Sequence, residues 1–223
     1  KKKIKNNINF YYVSAPKKWQ IKIFKILGIA ESKLINSSKN KHIFANQIIC
    51  LDHPWYHKGF IQDQVKRIPE WVVFINRKIF LKKSSKFKCS KKIFLDRSSS
   101  KFNHCQIFNQ RRVNKWVKKN NLSIYKPEKL SFKKQVYLFK KASVILGAHG
   151  AAFTNIIFCK PGTKIIEIIP ADHPNKKCER VCKILKLKYF RIVTKPDNSN
   201  KNFPYRIHLE KKHLKIINKA INL

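Results

Sequence analysis

The stretch Ser143-Val-Ile-Leu-Gly-Ala-His-Gly-Ala-Ala-Phe-Thr-Asn155 decides how this chain folds. Ser143–Gly147 is a continuous apolar run, short enough for a strand buried on both faces. It ends in Gly147 and Gly150. Small residues then open Ala151–Phe158, which reads as a short helix. Strand, glycine turn and helix in that order put a turn at the carboxyl end of a strand, where open α/β sheets hold their ligands. The amides at Gly150–Ala152 have no partner inside a helix that starts there, and with the helix dipole they favour an anion such as phosphate. The small side chains of Gly147, Gly150 and Ala151 let an anion approach the backbone. His149, Thr154 and Asn155 add side-chain donors to the same site.

Outward from this segment the same rhythm recurs. Strands are expected at Lys92–Asp96, Leu122–Tyr125, Thr163–Ile169 and Tyr189–Val193. Helices are expected at Asn109–Lys119, Ser131–Ala142, Cys178–Leu185 and Leu209–Ile221, with Ser131 as an N-cap. Strands alternating with helices of this length predict an α/β fold with a doubly wound, Rossmann-like parallel sheet. Earlier in the chain, Asn9–Val13 and His42–Leu51 read as strands and Lys17–Leu27 as a helix ended by Gly28. Asp52–Gly59 reads as a loop, and Gln64–Leu81 as a helix that Pro69 starts or kinks. The Lys/Ser-rich 82–90 stretch reads as a linker. It divides the chain into a partial amino-terminal α/β domain, 1–85, and a carboxyl-terminal domain, 86–223.

Two more residues converge on the turn. Glu167 stands among four isoleucines of the Thr163–Ile169 strand, where a carboxylate is costly unless it is paired or exposed. Beside a phosphate crevice it would accept hydrogen bonds from ribose hydroxyls. Arg97 follows the Lys92–Asp96 strand, and its fork suits a diphosphate. Each has a plainer alternative. The glycines serve a tight turn, His149 bonds a backbone carbonyl, Glu167 pairs with a lysine, and Arg97 is an ordinary surface residue.

The chain has 223 residues, 51 Lys+Arg against 11 Asp+Glu, and a formal charge of +40. Eight of the basic residues are Arg and the other 43 are Lys. Nucleic-acid recognition favours the bidentate Arg fork, so this composition argues against a base-reading protein. The charge still attracts polyanions and anionic membranes. A Lys-rich nucleic-acid-binding module, with Trp55, Tyr56 and Phe60 as stacking residues, is the competing reading. Apolar residues at 43% supply a core, and no apolar run reaches the ~20 residues of a membrane span. The six cysteines form no C-x-x-C pair. Cys178 and Cys182 share a helix face and read as core residues rather than metal ligands. G-x-x-x-x-G-K-[ST], G-x-G-x-x-G and Asp-x-Asp are all absent, so no metal-binding carboxylate pair is expected. The chain starts at Lys1 and contains no Met, which predicts an internal piece of a longer protein.

Three segments, Leu130–Gln135, Ala142–Phe158 and Pro161–Ile168, resemble the signature of glycosyltransferase family 61. Lys92-Ile-Phe-Leu-Asp-Arg97-Ser with Asn109-Gln110 is similar to its upstream elements. The likeness runs from roughly residue 9 to the end. It implies a GT-B fold whose carboxyl-terminal half holds a nucleotide-sugar donor. It also implies inverting transfer to a glycan or lipid-linked glycan acceptor, as in capsular polysaccharide biosynthesis, without a metal or other cofactor. Arg97, Gly147, His149, Gly150, Ala151, Thr154, Asn155 and Glu167 become the donor-site residues. Lys101 stands where a second Arg is usual, and Gln110 where Glu is common. The family's aromatic-His-Trp segment is expected upstream of residue 1. The catalytic base is unassigned among Asp52, His53, His57, Asp63 and anything upstream. The family's commonest members imply a cytoplasmic location, peripheral to an anionic inner membrane.

Overall fold

A computed structural model describes residues 8–50, 68–99, 104–171, 173, 177–195 and 205–223. Contacts group the chain into two compact units, Lys1–His53 and Pro54–Leu223.

In the first unit, β1 (Tyr11–Val13) pairs in parallel with β2 (Leu34–Asn36), and α1 (Lys18–Ile26) lies between them in sequence. Gly28 follows α1 at φ +85°, the left-handed stop that glycine adopts without a Cβ clash. β2 has only three residues, too few to show a period in the sequence. The strand expected at His42–Leu51 does not form: residues 42–50 are exposed and unpaired in any ladder, and residue 51 lies outside the described residues. A β-prone run without a partner strand leaves its backbone groups to water.

The second unit is built on a five-stranded, fully parallel sheet in the order β4-β3-β5-β6-β7. Its strands are β3 (Lys92–Leu95), β4 (Ser123–Tyr125), β5 (Val144–Ala148), β6 (Lys164–Pro170) and β7 (Lys188–Thr194). Its helices are α2 (Glu70–Phe80), α3 (Gln110–Lys119), α4 (Phe132–Lys141), α5 (Lys177–Ile184) and α6 (Lys211–Asn222). Pro69 stands at the N-cap of α2, where its missing N–H costs nothing; residues 64–67 of the expected helix lie outside the described residues. Ser131 caps α4 by accepting from the Lys134 amide. β5 is buried along its whole length, which explains the unbroken Val-Ile-Leu-Gly-Ala run.

Alternate side chains divide the sheet's two faces. Phe94, Leu146, Ala148, Ile166, Ile168 and Ile192 pack with Val113 and Val117 of α3 and with Leu214, Ile217 and Ile221 of α6. The opposite face carries Leu95, Gly147 and Glu167, which stand side by side in register. The segment Ala151–Phe158 forms a 3-10 helix rather than an α-helix, and it buries Phe153, Ile156 and Phe158. The Lys/Ser-rich 82–90 stretch is held to α4, where the Ser85 amide donates to the Lys133 carbonyl at 3.1 Å and Phe87 meets Tyr137.

The far end of the 3-10 helix is closed by Arg77 of α2, a residue the sequence did not single out. Its guanidinium donates to the Ile157 carbonyl and, at 2.7 Å, to the Cys159 carbonyl. These are orphan groups at a helix end, where a cation also complements the dipole. Phe80, Phe132 and Phe158 pack edge-on beside it. Charge-assisted bonds to buried carbonyls imply that Arg77→Ala lowers unfolding free energy by about 1.5–3 kcal/mol. Urea denaturation checks this, with Arg77→Lys expected to recover part of the loss.

Candidate functional site

The turn after β5 is assembled from the ends of adjacent strands. The His149 amide still donates to Ile168 at 2.8 Å, so the ladder to β6 holds one residue past the strand. Gly147 sits where a side chain would force its neighbours to shift. A Cβ there would lie 3.0 Å from the Leu95 Cβ and 3.4 Å from the Phe153 ring. Gly150 is needed for a different reason. Its φ of 165° is open to any residue, but an added Cβ would overlap the Arg97 guanidinium.

Arg97 follows β3 and reaches across to β5, where it donates to the His149 carbonyl. The loop that carries it is pinned by Asp96. That buried carboxylate accepts from the Ser98 amide at 2.8 Å and the Ser98 hydroxyl at 3.1 Å, and it faces Lys126 at 3.6 Å. Burial pushes the Arg97 guanidinium below its ordinary value, against the opposing pull of Cys105 and Glu128. A partly desolvated cation at a strand end gains from an incoming anion.

Behind the turn lies a buried polar cluster. His149 Nδ1 and Glu167 Oε1 are 2.6 Å apart, with both side chains almost inaccessible. The Cys178 thiol donates to the same oxygen at 3.1 Å, and the Tyr189 hydroxyl to Oε2 at 2.6 Å. Burial raises the Glu167 pKa, but the hydrogen bonds from His149, Tyr189 and Cys178 outweigh it and hold the carboxyl below its usual value. The counterpart shifts run upward. Burial and then Glu167 raise the Tyr189 phenol, and the same two causes with Glu179 push Cys182 up to about 12.

Of the two expectations for Glu167, paired or at an open strand end, the structure shows the first. It sits fourth of the seven residues of β6, and both oxygens already accept from protein donors. Its partners are an imidazole, a thiol and a phenol rather than a lysine. His149 likewise is buried, and its partner is a carboxylate rather than a backbone carbonyl. His149, Glu167 and Cys178 place three ligand-type atoms within 4.8 Å of one another. As they stand, the three side chains are joined by direct hydrogen bonds at 2.6 and 3.1 Å.

Arg97, Gly147, His149, Gly150 and Glu167 are therefore brought together. Ala151 and Thr154 are exposed on the 3-10 helix. The amides of Ala151 and Ala152 precede its first closed turn, which runs from the Phe153 amide to the Gly150 carbonyl at 3.0 Å. Asn155 is turned aside, donating to Gln135 Oε1 at 2.9 Å. Lys101, Asp52, His53, His57, Asp63, Trp55, Tyr56 and Phe60 lie outside the described residues. The sequence reading missed His173, whose ring lies 4.4 Å from that of His149 and 4.9 Å from that of Tyr205. His173 lies just past β6, so the strand-end rule that found Arg97 would also have found it.

The parallel sheet with covered faces and a glycine turn at a strand's carboxyl end defines a Rossmann-like α/β domain. The family model of glycosyltransferase 61 matches residues 9–166, and the chain belongs to that family. A β-1,2-xylosyltransferase of Arabidopsis thaliana is 42% identical to it over 60 residues, which is 27% of this chain and 11% of that protein. The chain thus spans a small part of the curated relative it matches.

Proposed function

We propose that this chain carries the donor-binding half of a glycosyltransferase of GT-B architecture, which moves a sugar from a nucleotide diphosphate to a glycan hydroxyl with inversion. The observation that carries the reading is the Arg97 guanidinium lying on Gly150, at the head of the 3-10 helix, in a member of family 61. Departure of a nucleoside diphosphate builds negative charge on its oxygens. Preorganised donors aimed at that charge are the largest single source of acceleration for such a step. Arg97 and the amides of Ala151 and Ala152 are those donors.

His149 and Glu167 hold the turn from behind. With Nδ1 committed to Glu167, the imidazole is fixed in place behind the turn whose carbonyl receives Arg97. Gly147 and Gly150 keep the backbone approachable, and Thr154 offers an exposed hydroxyl on the first turns of the 3-10 helix. A pentose is the first sugar to test, because the curated relative is a xylosyltransferase. The +40 charge suits work at an anionic membrane surface, where lipid-linked acceptors reside.

A uridine diphosphate titration followed by thermal unfolding tests the reading. A saturable rise in Tm is expected, weakened in His149→Ala and in Glu167→Ala. Absence of a shift with every common nucleoside diphosphate would refute it.

A further inference from the structure

α3 and α6 lie side by side on one face of the sheet, and a groove of about 350 Å³ runs between them. It is lined by Arg112, Trp116, Lys211, Leu214, Lys215 and Asn218. Trp116 and Leu214 form an apolar floor and are wholly or partly buried against the core. Arg112, Lys211, Lys215 and Asn218 are exposed around it. No described carboxylate forms a salt bridge with any of these three cations. Neither helix contains an Asp or Glu, and Glu210 at the N-cap of α6 pairs with Lys212, outside the lining, at 2.9 Å, so the residues lining the groove present one sign of charge over an aromatic surface.

The position of the groove matters as much as its chemistry. α3 begins after the loop that carries Arg97, and α6 begins after the sheet's last strand. Both helices therefore start at the carboxyl edge of the sheet, the edge that bears the Gly147–Gly150 turn. Their starts are tied together. Asn109 donates to the Leu209 carbonyl at 2.8 Å and accepts from the Leu209 amide at 3.1 Å, and the Phe108 amide donates to Ile207 at 2.8 Å. Arg112 and Lys211 lie in the first turns, nearest that edge. Trp116, Lys215 and Asn218 follow along the helices, leading away from it.

We propose that this groove binds an anionic oligosaccharide, a segment of acceptor or product chain bearing carboxylate or phosphate groups. The choice of a glycan rests on the glycosyltransferase reading above. A sugar ring presents an apolar face that packs on an indole, while its acidic substituents meet the Arg112 fork and the two ammonium groups. The Asn218 amide serves hydroxyls. A single-stranded nucleic acid is the poorer fit, because it asks for successive aromatic platforms along a groove, and among the described residues that line this one Trp116 alone is aromatic.

The test uses the full chain with labelled tetragalacturonate at about 0.15 M salt, where diffuse attraction is damped. Arg112→Gln/Lys215→Gln is expected to weaken binding about tenfold, and Trp116→Ala to weaken it similarly. The double variant changes only exposed side chains, so it reports even if Trp116→Ala unfolds. Lys133→Gln/Lys141→Gln removes the same charge from α4 and is expected to leave binding within about twofold. Equal losses in the two charge variants would overturn the proposal, as would equal affinity for neutral maltotetraose. Tighter, groove-dependent binding of an oligothymidylate would overturn it in favour of nucleic acid. The uridine diphosphate shift of the double variant should match the parent. If the parent shows no such shift yet binds tetragalacturonate in the groove, the donor reading fails and the groove stands.

Discussion

Gly150→Ala is expected to abolish most nucleotide binding while leaving the fold in place. The backbone at residue 150 is extended and accepts any side chain. What an added Cβ meets is the tip of Arg97, a flexible side chain that can swing outward at the cost of its one bond to a backbone carbonyl. Swinging out breaks its bond to the His149 carbonyl and takes the guanidinium away from the head of the 3-10 helix. A charge-assisted contact to a diphosphate contributes about 1.5–3 kcal/mol, so uridine diphosphate affinity should fall roughly 10- to 150-fold. Arg97→Ala should lose a similar amount. The double variant should lose no more than either single one, because both changes remove one contact. Calorimetric titration of the three variants decides the matter. Additive losses would mean that Gly150 acts on the ligand independently of Arg97. The unfolding midpoints should shift by only a few degrees, which separates loss of a contact from loss of the fold.

The strands were legible because a parallel sheet covered on both faces demands continuous branched apolar runs. Ser143–Gly147 and Thr163–Ile169 are such runs, displaced by a single residue from Val144–Ala148 and Lys164–Pro170. His42–Leu51 looked equally apolar and failed as a strand, since pairing is a property of two segments and composition reports on one. The site divided along the same line. Arg97 and the 147–150 turn were visible from strand-end position alone. The environment of Glu167 was not. Its partners Cys178 and Tyr189 come from α5 and β7, and they approach only because the sheet places β7 beside β6 and α5 over that face. The pair Cys178 and Cys182 was rightly read as buried, yet nothing in its spacing shows that one thiol serves a carboxylate. Arg77 was hidden for the same reason: the carbonyls it closes lie 80 and 82 residues away.

Removing the Glu167 carboxylate should be the most destabilising single polar change in the second unit. Glu167→Ala removes at once the shared acceptor of the buried His149 imidazole and Cys178 thiol and of the half-buried Tyr189 phenol. Breaking a buried charged network from one side costs about 3–5 kcal/mol, a large fraction of the ~5–15 kcal/mol that holds a domain together. Glu167→Gln keeps the volume and an acceptor oxygen, so it should lose less. It presents an amide N–H₂ to one side of the cluster, so at least one group there loses the carboxylate oxygen it now donates to. The pH dependence follows from the sign of the shift. The carboxyl's folded pKa lies below its unfolded value, because hydrogen bonds to the ionised form outweigh the opposing effect of burial. Its contribution is therefore fully present above the unfolded value of about 4.3, and it disappears as pH falls through the lower folded value. Urea unfolding from pH 7 down to about pH 3 should show a falling acid limb in the parent that is shallower in Glu167→Gln. Identical limbs in the two proteins would mean that the carboxylate is not held ionised by its neighbours. The role assigned to it behind the nucleotide turn would then fall with that result.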